Sequence, residues 1–218
     1  MTTYFYNRAD YSYTLQNILR YNITINNDHD LGALAGYEEY YYKRDTRNAT
    51  KKGLIDSSIH TPGSATEMVS VGGGAFDRAS RSFFGRINYD YDGRYLVELN
   101  GRYDGSSRFA SGNRWGFFPS VSLGWNITRE EFMSSVTDVL SNLKLRASYG
   151  LLGNQAGAAL YTFAATMALN DGLGNYIFSD GRHVFTKAPG VVNPNTTWEK
   201  VESKNIGIDF GFLGNTLT

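Results

Sequence analysis

The sequence contains no cysteine, only 4 prolines, no surplus of either charge and no long apolar run. Without cysteine there can be no disulfide framework, thiolate zinc site or cysteine nucleophile. Lys plus Arg and Asp plus Glu stand at 21 each, which removes the global basic surface that nucleic acid or an anionic membrane face selects. Nothing approaches the ~20 consecutive apolar residues of a membrane-spanning helix. Met1 to Asp10 also lacks the basic-then-apolar order of an export leader, so an exported protein would be missing its own N-terminus here. His29, His60 and His183 fall on expected turns or loops without metal-ligand spacing, and solvated histidine is the default reading. Gly72-Gly73-Gly74 has no following Lys-Ser/Thr, so it reads as loop flexibility rather than a phosphate cradle. No metal, cofactor or catalytic residue is expected. Asp and Glu are plentiful, but no pair is singled out as the two carboxylates of a glycosidase.

What is present is aromatic and glycine-rich: 16 Tyr, 13 Phe, 3 Trp and 24 Gly in 218 residues. Two-residue alternation recurs in seven segments, several near the ~9 to 11 residues of a tilted transmembrane strand. In Arg94 to Asp104, Tyr95, Val97, Leu99 and Tyr103 share one face; Arg94, Glu98, Asn100, Arg102 and Asp104 share the other. Arg81 to Tyr91 alternates likewise, and Asp92-Gly93 between the two supplies a tight hairpin turn. Trp115 to Ile127, Leu143 to Gly150 and Lys204 to Gly211 repeat the pattern, while Tyr11 to Ile25 and Leu31 to Arg44 show it more noisily. Thr128 to Ser141 is the one helical candidate, with Thr128 as cap, Glu130 and Glu131 in the first turn, and Phe132, Met133, Val136 and Val139 or Leu140 near helical spacing. Long connections are expected at Asp45 to Ser80, Gly105 to Arg114 and Leu152 to Thr197. In an outer-membrane barrel such long connections lie outside the cell.

Alternation by itself fits a soluble β-sandwich, for instance a carbohydrate-binding module, as well as a barrel wall. Strand length, aromatic residues near strand ends (Tyr89, Tyr91, Tyr95, Tyr103, Trp115 and Trp125) and both signs of charge on one face favour the barrel. On that reading Glu98, Asn100, Arg102, Lys144 and Arg146 face the lumen, where they line a substrate path or grip whatever fills the barrel. Asp104, Arg108, Arg114 and Trp115 sit at an outer loop, as ligand contacts or, more simply, as rim contacts that satisfy one another.

Several runs carry a more specific signal. They are Arg81-Ser82-Phe83-Phe84-Gly85-Arg86-Ile87-Asn88-Tyr89-Asp90-Tyr91, Leu99-Asn100-Gly101-Arg102-Tyr103-Asp104-Gly105-Ser106-Ser107-Arg108-Phe109, and Asn113-Arg114-Trp115-Gly116-Phe117-Phe118-Pro119-Ser120. Leu143 to Gly150, Gly153-Asn154-Gln155, Thr197-Trp198-Glu199-Lys200 and Asn205 to Phe210 continue it. Together these resemble barrel segments of the SusC/RagA family of TonB-linked transporters over essentially the whole chain. The resemblance implies a barrel of about 22 strands, an N-terminal plug, a SusD-like surface lipoprotein, the TonB complex, and import of oligosaccharides or peptides. The chain is then expected to be an all-β antiparallel meander of about seven or eight strands with one short helix, a partial outer-membrane barrel domain over residues 1–218. Plug and signal peptide would be absent. Its surroundings would be outer-membrane lipid and the rest of the barrel in a Gram-negative, Bacteroidota-like bacterium. No enzymatic activity and no nucleic-acid partner are expected.

Overall fold

A computed structural model describes residues 1–56, 58–59, 61–167, 169–170, 177–178, 181–182 and 185–212. The main strands are β1 (Thr2–Ile25), β2 (His29–Leu54), β3 (Ala65–Tyr91), β4 (Tyr95–Ser106), β5 (Trp115–Asn126) and β6 (Leu140–Asn154). Four two-residue strands follow: β7 (Leu169–Asn170), β8 (Ile177–Phe178), β9 (Gly181–Arg182) and β10 (Phe185–Thr186). The last long strand is β11 (Glu199–Phe212). The long strands form one 7-stranded sheet in the order β1-β2-β3-β4-β5-β6-β11, while β10 pairs with β7 and β8 with β9. Each long strand therefore neighbours the next one in the chain, and the sheet is the expected antiparallel meander.

The tight turns follow from residues that accept a left-handed backbone. Asn26 and Asn27 adopt φ 53° and 64°, and Asp92 and Gly93 adopt 51° and 62°. These are the paired positive angles of hairpin turns whose twist matches the strands they join. Arg94 N–H closes the second turn on the Tyr91 carbonyl at 2.8 Å, and Gly93 N–H donates to the Asp90 carboxylate at 2.6 Å.

Two expectations are corrected. The stretch Asp45 to Ser80 is mostly strand, because β2 runs on to Leu54 and β3 starts at Ala65. The triple glycine therefore lies inside β3. A Cβ on Gly73 would stand 2.4 Å from the Thr46 carbonyl oxygen, so at that position glycine permits close backbone approach rather than loop flexibility. The helix expected over Thr128 to Ser141 is replaced by 3-10 turns at Ile127–Arg129 and Glu131–Met133, and β6 has begun by Leu140. The Thr128 hydroxyl bonds the Asn126 side chain (3.0 Å) instead of capping. Phe132, Val136 and Val139 stay exposed, so an amphipathic helix would have no apolar surface on which to pack.

The chain divides into two compact units, Met1–Asn17 with Tyr37–Arg81, and Ile18–Gly36 with Ser82–Thr218. In the first unit, the Glu39 carboxylate accepts hydrogen bonds from the Tyr13 hydroxyl (2.8 Å), the Tyr37 hydroxyl (2.7 Å) and Arg81 Nε (2.8 Å). Tyr13 stacks on Tyr41 at 5.7 Å.

In the second unit the register is regular. Tyr95, Val97, Leu99 and Tyr103 of β4 pair with Trp125, Leu123, Val121 and Phe117 of β5. Val121, Leu123 and Trp125 pair with Tyr149, Ala147 and Leu145 of β6, which continues to Ile206 and Ile208 of β11. This apolar face is not a core: Leu99 is 47% exposed, Phe117 56%, Leu123 52% and Ile206 90%. The buried hydrophobic residues among those described are Ala65, Phe109, Phe118 and Trp198. A soluble sandwich needs a second layer over that face, and the described residues provide none.

Candidate functional site

The aromatic residues picked out in the sequence sort into two sets along the apolar face of the second unit. At the turn end, His29 lies 4.9 Å from Tyr91, Tyr91 stacks on Tyr95 at 6.2 Å, and Tyr95 on Trp125 at 6.5 Å. His29 Nδ1 and the Tyr89 hydroxyl share a hydrogen bond of 2.8 Å. His29 is thus the first residue of β2, packed on rings rather than standing in solvent; His60 and His183 lie outside the described residues. At the loop end, Trp115 stacks on Tyr103 at 4.8 Å and on Phe83 at 6.2 Å. Tyr95 and Tyr103 are eight residues apart on β4, a rise of roughly 26 Å at the usual strand spacing. At the ~40° tilt of a barrel strand that length is about 20 Å of height, so the exposed apolar band between the two aromatic rows approaches the ~25 Å band of a membrane barrel.

The turn end is tied together by Glu130. Its carboxylate accepts from the Tyr95 hydroxyl at 2.7 Å and from Trp125 Nε1 at 2.9 Å, with Arg94 at 3.7 Å. These bonds to its charged form, the tyrosine's first, hold the carboxyl below its ordinary range. A depressed carboxyl stabilises the fold at pH values above its unfolded pKa of about 4.3, and that contribution fades as pH falls through the folded value. Wild type should therefore melt above Glu130→Gln at neutral pH, and the gap should close on acidification. A gap that is constant with pH would contradict this.

The opposite face is polar. Small residues on β5 keep it open: Glu98 is level with Ser122, Ser122 with Ser148, and Ser148 with Asn205. Asn100 donates to Glu98 at 2.8 Å. Arg102 donates to Asp104 at 2.8 Å and to the Ser82 hydroxyl at 2.9 Å, and lies over the Phe84 ring at 5.4 Å. Arg146 pairs with Asp209 at 3.1 Å. A depression of about 680 Å³ gathers Glu98, Lys144 and Arg146 with Asp30, Asp90, Asn88 and Ser122. Of the predicted lumen row it brings together Glu98, Lys144 and Arg146; Asn100 and Arg102 lie outside it. Sequence reasoning put Asp90 on the polar face and Asp30 at the end of a turn, but made neither a site candidate. The depression presents carboxylates and cations side by side, which suits a polar protein surface or a hydrated solute.

Asp104, Arg108, Arg114 and Trp115 are not brought to one point. Asp104 is engaged by Arg102, and Trp115 belongs to the aromatic row. Arg108 donates to the Ala158 carbonyl, and Arg114 Nε to the Phe109 carbonyl at 3.2 Å. These two arginines belong to a small closed core that the sequence reading did not foresee. Phe109 is fully buried and meets Trp198 at 5.3 Å; Phe118 meets Trp198 edge-on at 5.4 Å. Trp198 Nε1 donates to the Arg114 carbonyl at 2.8 Å, and the Ser106 hydroxyl to Gln155 at 2.5 Å. The core clasps the 107–114 connection to both ends of the 155–198 connection. One signal was present in the sequence: Trp198 is the lone aromatic in the polar run Asn193–Lys200.

Comparison with known proteins agrees with this geometry. A family model described as TonB dependent receptor-like, beta-barrel matches residues 2–218. The TonB-dependent receptor SusC of Bacteroides thetaiotaomicron is 37% identical over 206 residues, covering 92% of this chain and 20% of that protein. The TonB-dependent receptor P39 of Formosa agariphila is 32% identical over 211 residues, covering 95% and 19%. The solved structure of the RagAB peptide transporter superposes with a TM-score of 0.84 at 29% identity, covering 96% of this chain and 23% of the matched one. The chain therefore spans about a fifth of the length of the curated relatives it matches.

Proposed function

Because the chain belongs to the TonB dependent receptor-like β-barrel family, in its SusC/RagA branch, we propose that it forms wall strands of an outer-membrane importer. The cargo is an oligosaccharide or peptide, a SusD-like lipoprotein covers the outer mouth, and transport is driven through TonB. The observation that carries this reading is the inversion of the usual burial rule. Large apolar side chains stand exposed on one face between two aromatic rows, and the charged residues occupy the other face. Lipid is the solvent that makes such a face favourable.

Within that frame Glu98, Asn100, Arg102, Lys144 and Arg146 hold the plug, because the lumen of so large a transporter barrel is filled. Asp104, Arg108, Arg114 and Trp115 act at the rim, where they fix the outer connections. The membrane is the outer membrane of a Gram-negative bacterium, and the protein works without chemistry of its own.

The test is fractionation followed by depth-resolved quenching. The transporter carrying this segment should co-purify with outer membranes, require detergent for extraction, and show Trp115 and Trp125 fluorescence quenched by brominated phospholipid. A soluble, monomeric, cooperatively folded product without detergent would overturn the reading in favour of a binding module.

A further inference from the structure

In the unit formed by Met1–Asn17 and Tyr37–Arg81, rings and guanidinium groups alternate in a stack. Arg78 lies over Tyr42 at 4.9 Å and over Tyr40 at 5.9 Å. Arg44 lies over Tyr42 at 5.4 Å and over Phe76 at 5.5 Å, and the Tyr42 and Phe76 rings are 5.9 Å apart. The charges do not balance. Asp10 is taken by Arg44 Nε at 2.9 Å and by Arg8 Nε at 2.9 Å, so one carboxylate serves two of three arginines. Arg78 has no carboxylate partner among the described residues, and its Nε is buried without a hydrogen bond.

A buried guanidinium nitrogen without a partner is unfavourable. Tyrosine faces stabilise the cation and fix its plane, yet they satisfy none of its N–H groups. A fork held flat in this way is prepared for a planar, two-oxygen acceptor, which it meets with two parallel charge-assisted bonds. Tyr40 and Phe76 beside it offer faces for the apolar side of a sugar ring or an amino-acid side chain.

We propose that the Arg78 stack is a binding site for a carboxylate-bearing unit of the cargo. The carboxylate belongs either to a uronic acid of an oligosaccharide or to an acidic peptide. This rests on the import reading, and it adds a charge class that the family alone does not specify.

The experiment titrates the full-length transporter carrying this segment, in detergent, with trigalacturonate, triglutamate and neutral maltotriose at low and moderate salt. One of the two anionic probes should bind more tightly than maltotriose and weaken as salt rises; which of them binds identifies the source of the carboxylate. Arg78→Ala should reduce that affinity about tenfold or more, as loss of a charged hydrogen bond does. Arg78→Lys, which keeps charge but not the fork, should fall between and carries the test if the alanine variant does not fold. Anionic probes that bind no better than maltotriose would overturn the proposal. So would an Arg78→Ala protein that melts lower but binds unchanged, since that is a purely structural role. Failure of the barrel reading shows separately, as loss of heat-modifiable migration and of the need for detergent in every variant and without any probe.

Discussion

Trp198→Ala should cost the folded protein about 3–5 kcal/mol, the range for deleting a large buried aromatic side chain, and should release the 107–114 and 155–198 connections. Trp198 is 8% exposed and is the shared wall of the only buried aromatic cluster among the described residues. Phe109 from the 107–114 connection and Phe118 from β5 both rest on its ring. Its Nε1 donor also holds the Arg114 carbonyl, so truncation leaves both a cavity and an unpaired acceptor. The measurement is twofold: the melting temperature in detergent, and limited proteolysis read by cleavage within residues 155–197. Trp198→Phe keeps a ring and loses the donor, so a smaller drop, about 1 kcal/mol, is expected. Val191, 106% exposed, supplies the control, because its change to alanine should move neither readout. Equal proteolysis of wild type and Trp198→Ala would mean that the clasp does not hold the connections.

That clasp shows where the sequence was legible and where it was not. The strands of the second unit were readable because one face is apolar and the other polar, so period-two alternation holds over Tyr95–Tyr103 and Trp115–Trp125. The distal halves of β2 and β3 were read as a loop because that pattern ends: with polar residues on both faces, as in Thr46–Lys52, or a run of glycines, as in Gly72–Gly74, a strand has no alternation to show. The hairpin turn at Asp92-Gly93 was visible from its residue types alone.

The polar row of Glu98, Asn100, Arg102, Lys144 and Arg146 was legible as a face, but its grouping was not. Whether Glu98 meets Lys144 and Arg146 depends on the small residues Ser122 and Gly124 between them and on a register that spans β4 to β6. The clasp was the least legible element. Ser106 to Phe109, Asn113 to Phe118, Gly153 to Gln155 and Thr197 to Lys200 each looked like family signature. The structure supplies a physical reason for them: they are four pieces of one contact, brought together over as many as 89 residues of chain, from Phe109 to Trp198. Local pattern carries no information about such pairings.

Leu99→Arg should destabilise the protein in lipid vesicles by about 2–4 kcal/mol, while Phe117→Arg should cost only about 0–1 kcal/mol, because the penalty for a cation on the lipid face is set by depth. Burial within the protein predicts no such gap between the two positions. Leu99 is 47% exposed and Phe117 56%, and in water both would tolerate a long charged side chain. Leu99 is midway between Tyr95 and Tyr103 and level with Val121, whereas Phe117 is level with Tyr103 at the loop-end aromatic row. Arginine at position 117 can reach headgroups by extending its side chain; from position 99 it must cross about half of the hydrocarbon. Guanidinium titration of refolding into vesicles gives both values. Asn100→Arg, one residue along but on the polar face, should cost little, because that side is wet or protein-filled rather than lipid. A large cost at 99 with a small one at 117 requires a bilayer across this face. Equal costs would mean that neither depth nor lipid acts there, and that the exposed apolar band is covered by protein instead.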